Sequence, residues 1–188
     1  MPDSPALAFT AVSVTDAGSI VLLTQYFSDR ESGFPAAQGR YRTTFPDPIQ
    51  FLPPSGVFLL VSEEMGPAER AFVGCGGIRR LEDSPAGNVR FEIKHLWLQS
   101  QVRGRGWGQS LLTELERRAR EFGADDVVLD TNASLTAAGA LYARSGYESC
   151  APYNDNPNAT TWYRKSLTRK TDGAGPAESR PPGTRLSI

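Results

Sequence analysis

Residues 101–112, QVRGRGWGQSLL, hold the densest chemistry in the chain: Gly104, Gly106 and Gly108 alternate with Arg105 and Trp107, behind Arg103. An apolar helical pattern begins at the same place, although glycine costs a helix about 0.5–1 kcal/mol per residue relative to alanine. A helix start leaves backbone N–H groups unpaired, and its macrodipole adds partial positive charge there. Residues without side chains let an anion approach that backbone closely, so a strand running into this turn makes a phosphate cradle. Arg103 and Arg105 add cationic partners. Two familiar phosphate loops fit poorly. No Lys-Ser/Thr pair follows the glycines, and GRGWGQ is spaced GxGxG after three strands rather than GxGxxG after one.

The surrounding pattern supplies the elements that must hold this turn. LAFTAVSV (7–14) alternates like a strand. Asp16 can cap a helix through SIVLLTQYFSDR, with Ile20, Leu23 and Phe27 at helical spacing. Residues 28–56 carry five prolines and the aromatics Phe34, Tyr41, Phe45 and Phe51, which allows one short helix at most. A long aromatic loop of this kind usually serves binding. GVFLLVS (56–62) and RAFVGCGGIRR (70–80) predict a hairpin, and NVRFEIKHLWLQ (88–99) a longer strand. Trp107, Leu111, Leu115, Ala119 and Phe122 form one helical stripe, with Glu114–Arg118 and Glu116–Arg120 pairs outside and Gly123 as the stop. DVVLDTN (126–132) reads as a buried parallel strand, followed by a helix over SLTAAGALYARSG capped by Ser134 or Thr136. YESCAPY and ATTWYRKSL predict two last strands around YNDNPN. The expected fold is α/β in one domain over residues 1–168, with residues 169–188, rich in Gly and Pro, as a flexible tail.

Composition narrows the function classes. A net charge of −1 gives no basic field for nucleic acid. No apolar run is long enough for a membrane span, and the N-terminus has no signal-peptide pattern. Cys75 and Cys150 sit apart without a CxxC, which predicts two buried free thiols in a reducing cytoplasm and no metal site.

QVRGRG satisfies the pattern Q/R-x-x-G-x-G/A as Gln101, Gly104 and Gly106, and RGRGWG satisfies it again as Arg103, Gly106 and Gly108. In the context of FEIKHLWLQS before it and LLTELERRAREFG, VVLDTN and ALYARSGYE after it, this stretch resembles the acetyl-CoA signature of the GNAT N-acetyltransferase superfamily. The resemblance covers roughly residues 7–168 and is most specific over 88–150. It implies a mixed, mostly antiparallel sheet of six or seven strands, helices on both faces, and fourth and fifth strands that splay apart. Acetyl-CoA is then the co-substrate. Its pantetheine would pair with the backbone of Leu96, Trp97 and Leu98, and its pyrophosphate would lie on Arg103, Gly104, Arg105, Gly106, Trp107 and Gly108, with Asn132 giving an amide to the arm.

Acetyl transfer needs a neutral amine and a proton for the departing thiolate. Tyr142 falls where ALYxxxGY relatives carry a tyrosine proposed as that acid; a core tyrosine is the other reading. Glu92, in EIKHLWL, is either the base acting through water or a carboxylate paired with Lys94. His95 is expected to be structural, facing with Ile93 and Trp97 unless a bulge intervenes, and Asp130 and Asp155 are weaker acid–base candidates. The expected function is direct acetylation of a primary amine on a small molecule, and the resemblance leaves open a monomer or a homodimer. A peptide or protein acceptor, or an idle acyl-CoA-binding domain, are the alternatives.

Overall fold

The computed structural model describes residues 7–66 and 69–167; the expected tail, 169–188, lies outside them. The elements run β1 (Leu7–Val12), α1 (Ala17–Ser32), β2 (Gly56–Gly66), β3 (Glu69–Arg80), β4 (Arg90–Leu98), α2 (Trp107–Glu121), β5 (Asp126–Thr131), α3 (Thr136–Arg144), β6 (Glu148–Ser149) and β7 (Thr161–Ser166). They build one seven-stranded sheet in the order β1-β2-β3-β4-β5-β7-β6. Every neighbouring pair is antiparallel except β4–β5. No helix among the described residues is long and apolar enough to cross a membrane.

Helices cover both faces, so the middle of β2 is apolar on both sides. On β2, Val57, Leu59 and Val61 face the core shared with α2, while Phe58 and Leu60 face the core shared with α1. Leu111, Leu112, Leu115 and Ala119 of α2 are fully buried on the first face, and Leu141 and Tyr142 of α3 join them. Leu22, Leu23 and Phe27 of α1 bury on the second with Phe51, Cys75 and Trp97.

Several local expectations change in the fold. Asp16 caps α1 by accepting the Gly18 N–H at 2.9 Å, but the helix turns Ile20 outward, 46% exposed. Ser19, Leu22, Leu23 and Phe27 face inward instead, because the Ser19 hydroxyl is tied to the Ser13 carbonyl at 2.7 Å. Residues 28–56 hold two short 3-10 turns, Ala36–Gln38 and Pro48–Phe51, rather than one helix. Neither Ser134 nor Thr136 caps α3; the Asn132 Oδ1 accepts the Ser134 N–H as the chain enters it. Cys75 is buried and Cys150 only partly so, and both are free.

The feature that makes room for a ligand is the short β4–β5 ladder. It pairs Arg90 with Asp126, Phe91 with Val127 and Glu92 with Val128, and then ends. Beyond it β4 stays with β3 as far as Leu98, and β5 stays with β7 as far as Thr131, so the two strands diverge.

Candidate active site

The glycine turn is built for an anion. A short 3-10 turn, Ser100–Val102, leads out of β4, and Gly104 and Gly106 both take φ +81°, a left-handed backbone that residues with a Cβ rarely adopt. Gly106 is the residue from which α2 starts, with no side-chain cap. The N–H groups of Gly104, Arg105 and Gly106 have no carbonyl partner among the described residues. A Cβ on Gly104 or Gly106 would meet nothing within 4 Å, so the demand there is conformational, and the space above the backbone is open. Gly108 is already helical, and a Cβ there would meet Leu141 at 3.6 Å and Leu98 at 3.9 Å. Both arginines are drawn to the protein body. Arg103 donates to the Leu98 carbonyl and to Asp29, and Arg105 donates to Glu63 and lies over the Trp107 ring. The cradle is therefore backbone, with the arginines as its exposed rim.

Where β4 leaves β5, a cavity of about 690 Å³ opens. Leu96, Asn132 and Tyr142 line it together with Lys94, His95 and Asp130. So do Tyr26, Phe27 and Arg30 of α1, the aromatics Phe34, Tyr41, Phe45 and Phe51, and Asn154, Asn156 and Asn158. The aromatic loop and the YNDNPN connection thus reach one chamber. They are pinned to each other by Arg42 N–H to Asn158 Oδ1 at 2.9 Å and Asn158 Nδ2 to the Arg42 carbonyl at 2.8 Å, and Asn132 Nδ2 bridges Gln38 Oε1 and the Asn158 carbonyl.

Tyr142 is buried, yet its hydroxyl has no hydrogen-bond partner among the described residues and borders the cavity. Burial pushes its pKa up to about 12, so it holds its proton at neutral pH. Glu92 is fully buried and does not line the cavity. Its Oε2 accepts from Arg79 at 2.6 and 2.7 Å, and its Oε1 from Tyr153 at 3.0 Å, Asn154 at 3.1 Å and Lys94 at 3.4 Å. Lys94 continues to Asp130 at 3.1 Å, and Asn154 and Asn156 also donate to that carboxylate. Burial raises the Asp130 pKa, but Lys94 and the two amides outweigh it and hold the group below the ordinary carboxylate value. Asp155 is exposed and lines no part of the cavity.

A bulge decides the His95 side chain. Cys75 pairs with Trp97 but Gly77 with Lys94, so His95 and Leu96 oppose Gly76 alone, and His95 sits at φ +55°. His95 therefore leaves the Ile93 face and packs against Tyr26 and Phe27, at ring separations of 5.4 and 5.7 Å. Burial, reinforced by Lys94 and Arg79, pushes its pKa down to about 3, which makes it a neutral wall residue. The same bulge returns Leu96 and Leu98 to the α2 face and Trp97 to the α1 face, where its indole donates to Asp29 at 2.9 Å.

The model of the acetyltransferase (GNAT) family matches residues 22–147, more than half of the chain. The chain belongs to the GNAT acetyltransferase family. An uncharacterised N-acetyltransferase of Schizosaccharomyces pombe is 29% identical over 113 residues, 60% of this chain and 64% of that protein. Human N-acetyltransferase 8 is 30% identical over 81 residues, 43% of this chain and 36% of that protein. The chain thus spans less than two thirds of the length of these curated relatives. Among solved structures, a candidate acyl-CoA N-acyltransferase of Klebsiella pneumoniae superposes with a TM-score of 0.66 at 29% identity, over 86% of this chain and 98% of that one. A GNAT acetyltransferase of Elizabethkingia anophelis with acetyl-CoA bound superposes with a TM-score of 0.54, over 86% and 98% of the two chains, and at 15% identity it speaks for the fold alone.

Of the residues expected at the donor side, Leu96, Asn132 and Tyr142 line the cavity at the strand divergence, whereas Trp97, Leu98 and residues 103–108 do not, and the Asn132 amide is already used by Gln38 and the Asn158 carbonyl. Sequence reasoning missed Arg30 and Lys94 as cavity residues. The YNDNPN run reads from sequence as either a turn or a cover over the acceptor site with the aromatic loop, and its Asn154, Asn156 and Asn158 line the cavity.

Proposed function

We propose that this chain moves an acetyl group from acetyl-CoA to a primary amine of a small molecule, by direct attack in a ternary complex. The observation that carries the reading is the unpartnered Tyr142 hydroxyl in the cavity where β4 and β5 diverge, beside the unpaired edge of β4 at Leu96. The residues present fit the donor: unpaired N–H groups at 104–106 suit a diphosphate, and the free edge of β4 suits a pantetheine lying as an added strand. Acetyl-CoA when bound supplies the acetyl group as an activated thioester.

The protein then supplies position and protons. Tyr142 Oη, protonated at working pH, gives its proton to the departing sulfur, and the proton that the attacking nitrogen sheds as the amide forms restores the phenol. Lys94 and Arg30 line the cavity, and the acceptor amine loses its proton to solvent before it attacks. Glu92, with its oxygens already engaged by Arg79, Lys94, Tyr153 and Asn154, acts in this proposal from behind the wall, holding Lys94 and Asn154 in place. The tie between the 34–47 segment and Asn158 supports a small acceptor over an extended peptide.

The test is release of coenzyme A thiol from acetyl-CoA against amino acids, polyamines, aminoglycosides and peptides. Turnover of a small amine with a stable N-acetyl product supports the proposal. Turnover confined to peptides moves the acceptor class, and no thiol release while acetyl-CoA raises Tm leaves an acyl-CoA-binding domain.

A further inference from the structure

Resting on the acetyl-transfer reading, we propose that the acceptor carries a carboxylate close to its amine and that Arg30 receives it. The cavity wall bears the cations Arg30, Arg42, Arg79 and Lys94 and the carboxylates Asp47 and Asp130. Arg79 is neutralised by Glu92, and Lys94 by Asp130 and Glu92. Asp47 caps the Pro48–Phe51 turn through the Ile49 N–H, and Arg42 is exposed. Arg30 stands apart. Its Nε is buried with no hydrogen-bond partner, and the neighbouring Asp29, whose pKa Arg30 helps to lower, is bonded to Arg103 and Trp97 instead. Its guanidinium carbon sits 5.5 Å from the Tyr26 ring centre, and its charge is felt at Tyr142.

A buried guanidinium N–H without an acceptor is costly, and a carboxylate is the group that matches its forked geometry. The phosphates of the donor are not the obvious partner, because none of residues 103–108 lines this cavity. Arg30 and Tyr142 line the same cavity and Arg30 acts electrostatically on Tyr142, so an acceptor that reacts beside Tyr142 while reaching Arg30 carries an amine and a carboxylate, as an α-amino acid does. Phe27, Phe45 and Phe51, which line the same chamber, offer an apolar seat for its side chain. The ligand class is an α-amino acid with an aromatic or apolar side chain.

The experiment compares phenylalanine and leucine with their amides as acceptors, with spermidine as the carboxylate-free amine, in the intact protein and in Arg30→Met and Arg30→Lys. Losing one partner of a desolvated ion pair lowers kcat/KM by about 30-fold or more. The acids are therefore expected to exceed their amides by that factor, through KM. Arg30→Met brings the acid-to-amide ratio near one, and Arg30→Lys recovers part of it. An acetyl-CoA-induced rise in Tm that persists in Arg30→Met shows that the fold and donor site survive. Amides that match their acids overturn the inference, as does an Arg30→Met loss equal for acid and amide, which would place the cation at the thioester instead. Turnover of spermidine but of neither amino acid sinks the carboxylate and leaves acetyl transfer standing. No thiol from any amine sinks both.

Discussion

Replacing Glu92 with glutamine tests how the wall of the cavity is held. The carboxylate is fully buried, with Arg79 at 2.6 Å and Lys94 at 3.4 Å. Glutamine keeps the shape but loses the charge, and whichever of its ends becomes the NH₂ faces donors: Arg79 on one side, or Lys94, Tyr153 and Asn154 on the other. Removing one partner of a buried pair costs about 3–5 kcal/mol. Arg79 is 27% exposed and keeps Gln50, and Lys94 keeps Asp130, so the low end, about 3 kcal/mol, is expected here. For a chain of this size that is a fall in Tm of roughly 6–12 °C. Thermal unfolding followed by circular dichroism measures it, with Arg79→Met and the double variant closing a cycle. The acidic limb of the pH–rate profile gives a second readout. If Glu92 only positions Lys94 and Asn154, kcat falls but the limb stays, since it reports ionisation of the acceptor amine. A Tm within about 2 °C of the parent would refute the buried network, since about 3 kcal/mol cannot be lost so quietly. A flattened limb would make Glu92 the general base.

Tyr142→Phe is expected to lower kcat by about 100-fold or more with little change in KM, as loss of a positioned acid does; full turnover would remove the role. Gly106→Ala forces a Cβ onto φ +81° and is expected to cost about 1–2 kcal/mol in thermal melts and to weaken acetyl-CoA binding in titration calorimetry, whereas Gly108→Ala, at a helical position with its nearest contact at 3.6 Å, leaves the fold as stable or more so. His95 has a folded pKa of about 3, below its unfolded value near 6.5, so the unfolded chain binds the extra proton. Stability is then full above pH 6.5 and falls as pH drops toward 3, by at most about 1.4 kcal/mol per pH unit; the slope between pH 6.5 and 5, above the range of the carboxylates, is expected to vanish in His95→Gln.

The parts of this protein that obey local rules were legible without coordinates. The glycine cradle depends on residues within one turn of each other, so its left-handed positions and the start of α2 follow from spacing alone. The order of elements along the chain and the α2 stripe follow from periods of 2 and 3.6. The glycine turn proposed for the donor was readable for the same reason. The acceptor side was not, because its wall is assembled from α1, the 34–51 segment, β4, β5 and the 154–159 connection, which meet only after the sheet forms. Regular alternation places His95 beside Ile93; one extra residue opposite Gly76 turns it to the other face, and that bulge exists because of the pairing with β3. Glu92 shows the same division. Its neighbour Lys94 could be paired with it from spacing alone, but Arg79, Tyr153 and Asn154 come from 13, 61 and 62 residues away. Sequence alone therefore determined the glycine turn proposed to hold the donor's phosphates, a matter of backbone conformation. Tertiary structure decided which charges are neutralised and which, like Arg30, are left for a ligand, because electrostatic pairing depends on distance in space and not along the chain.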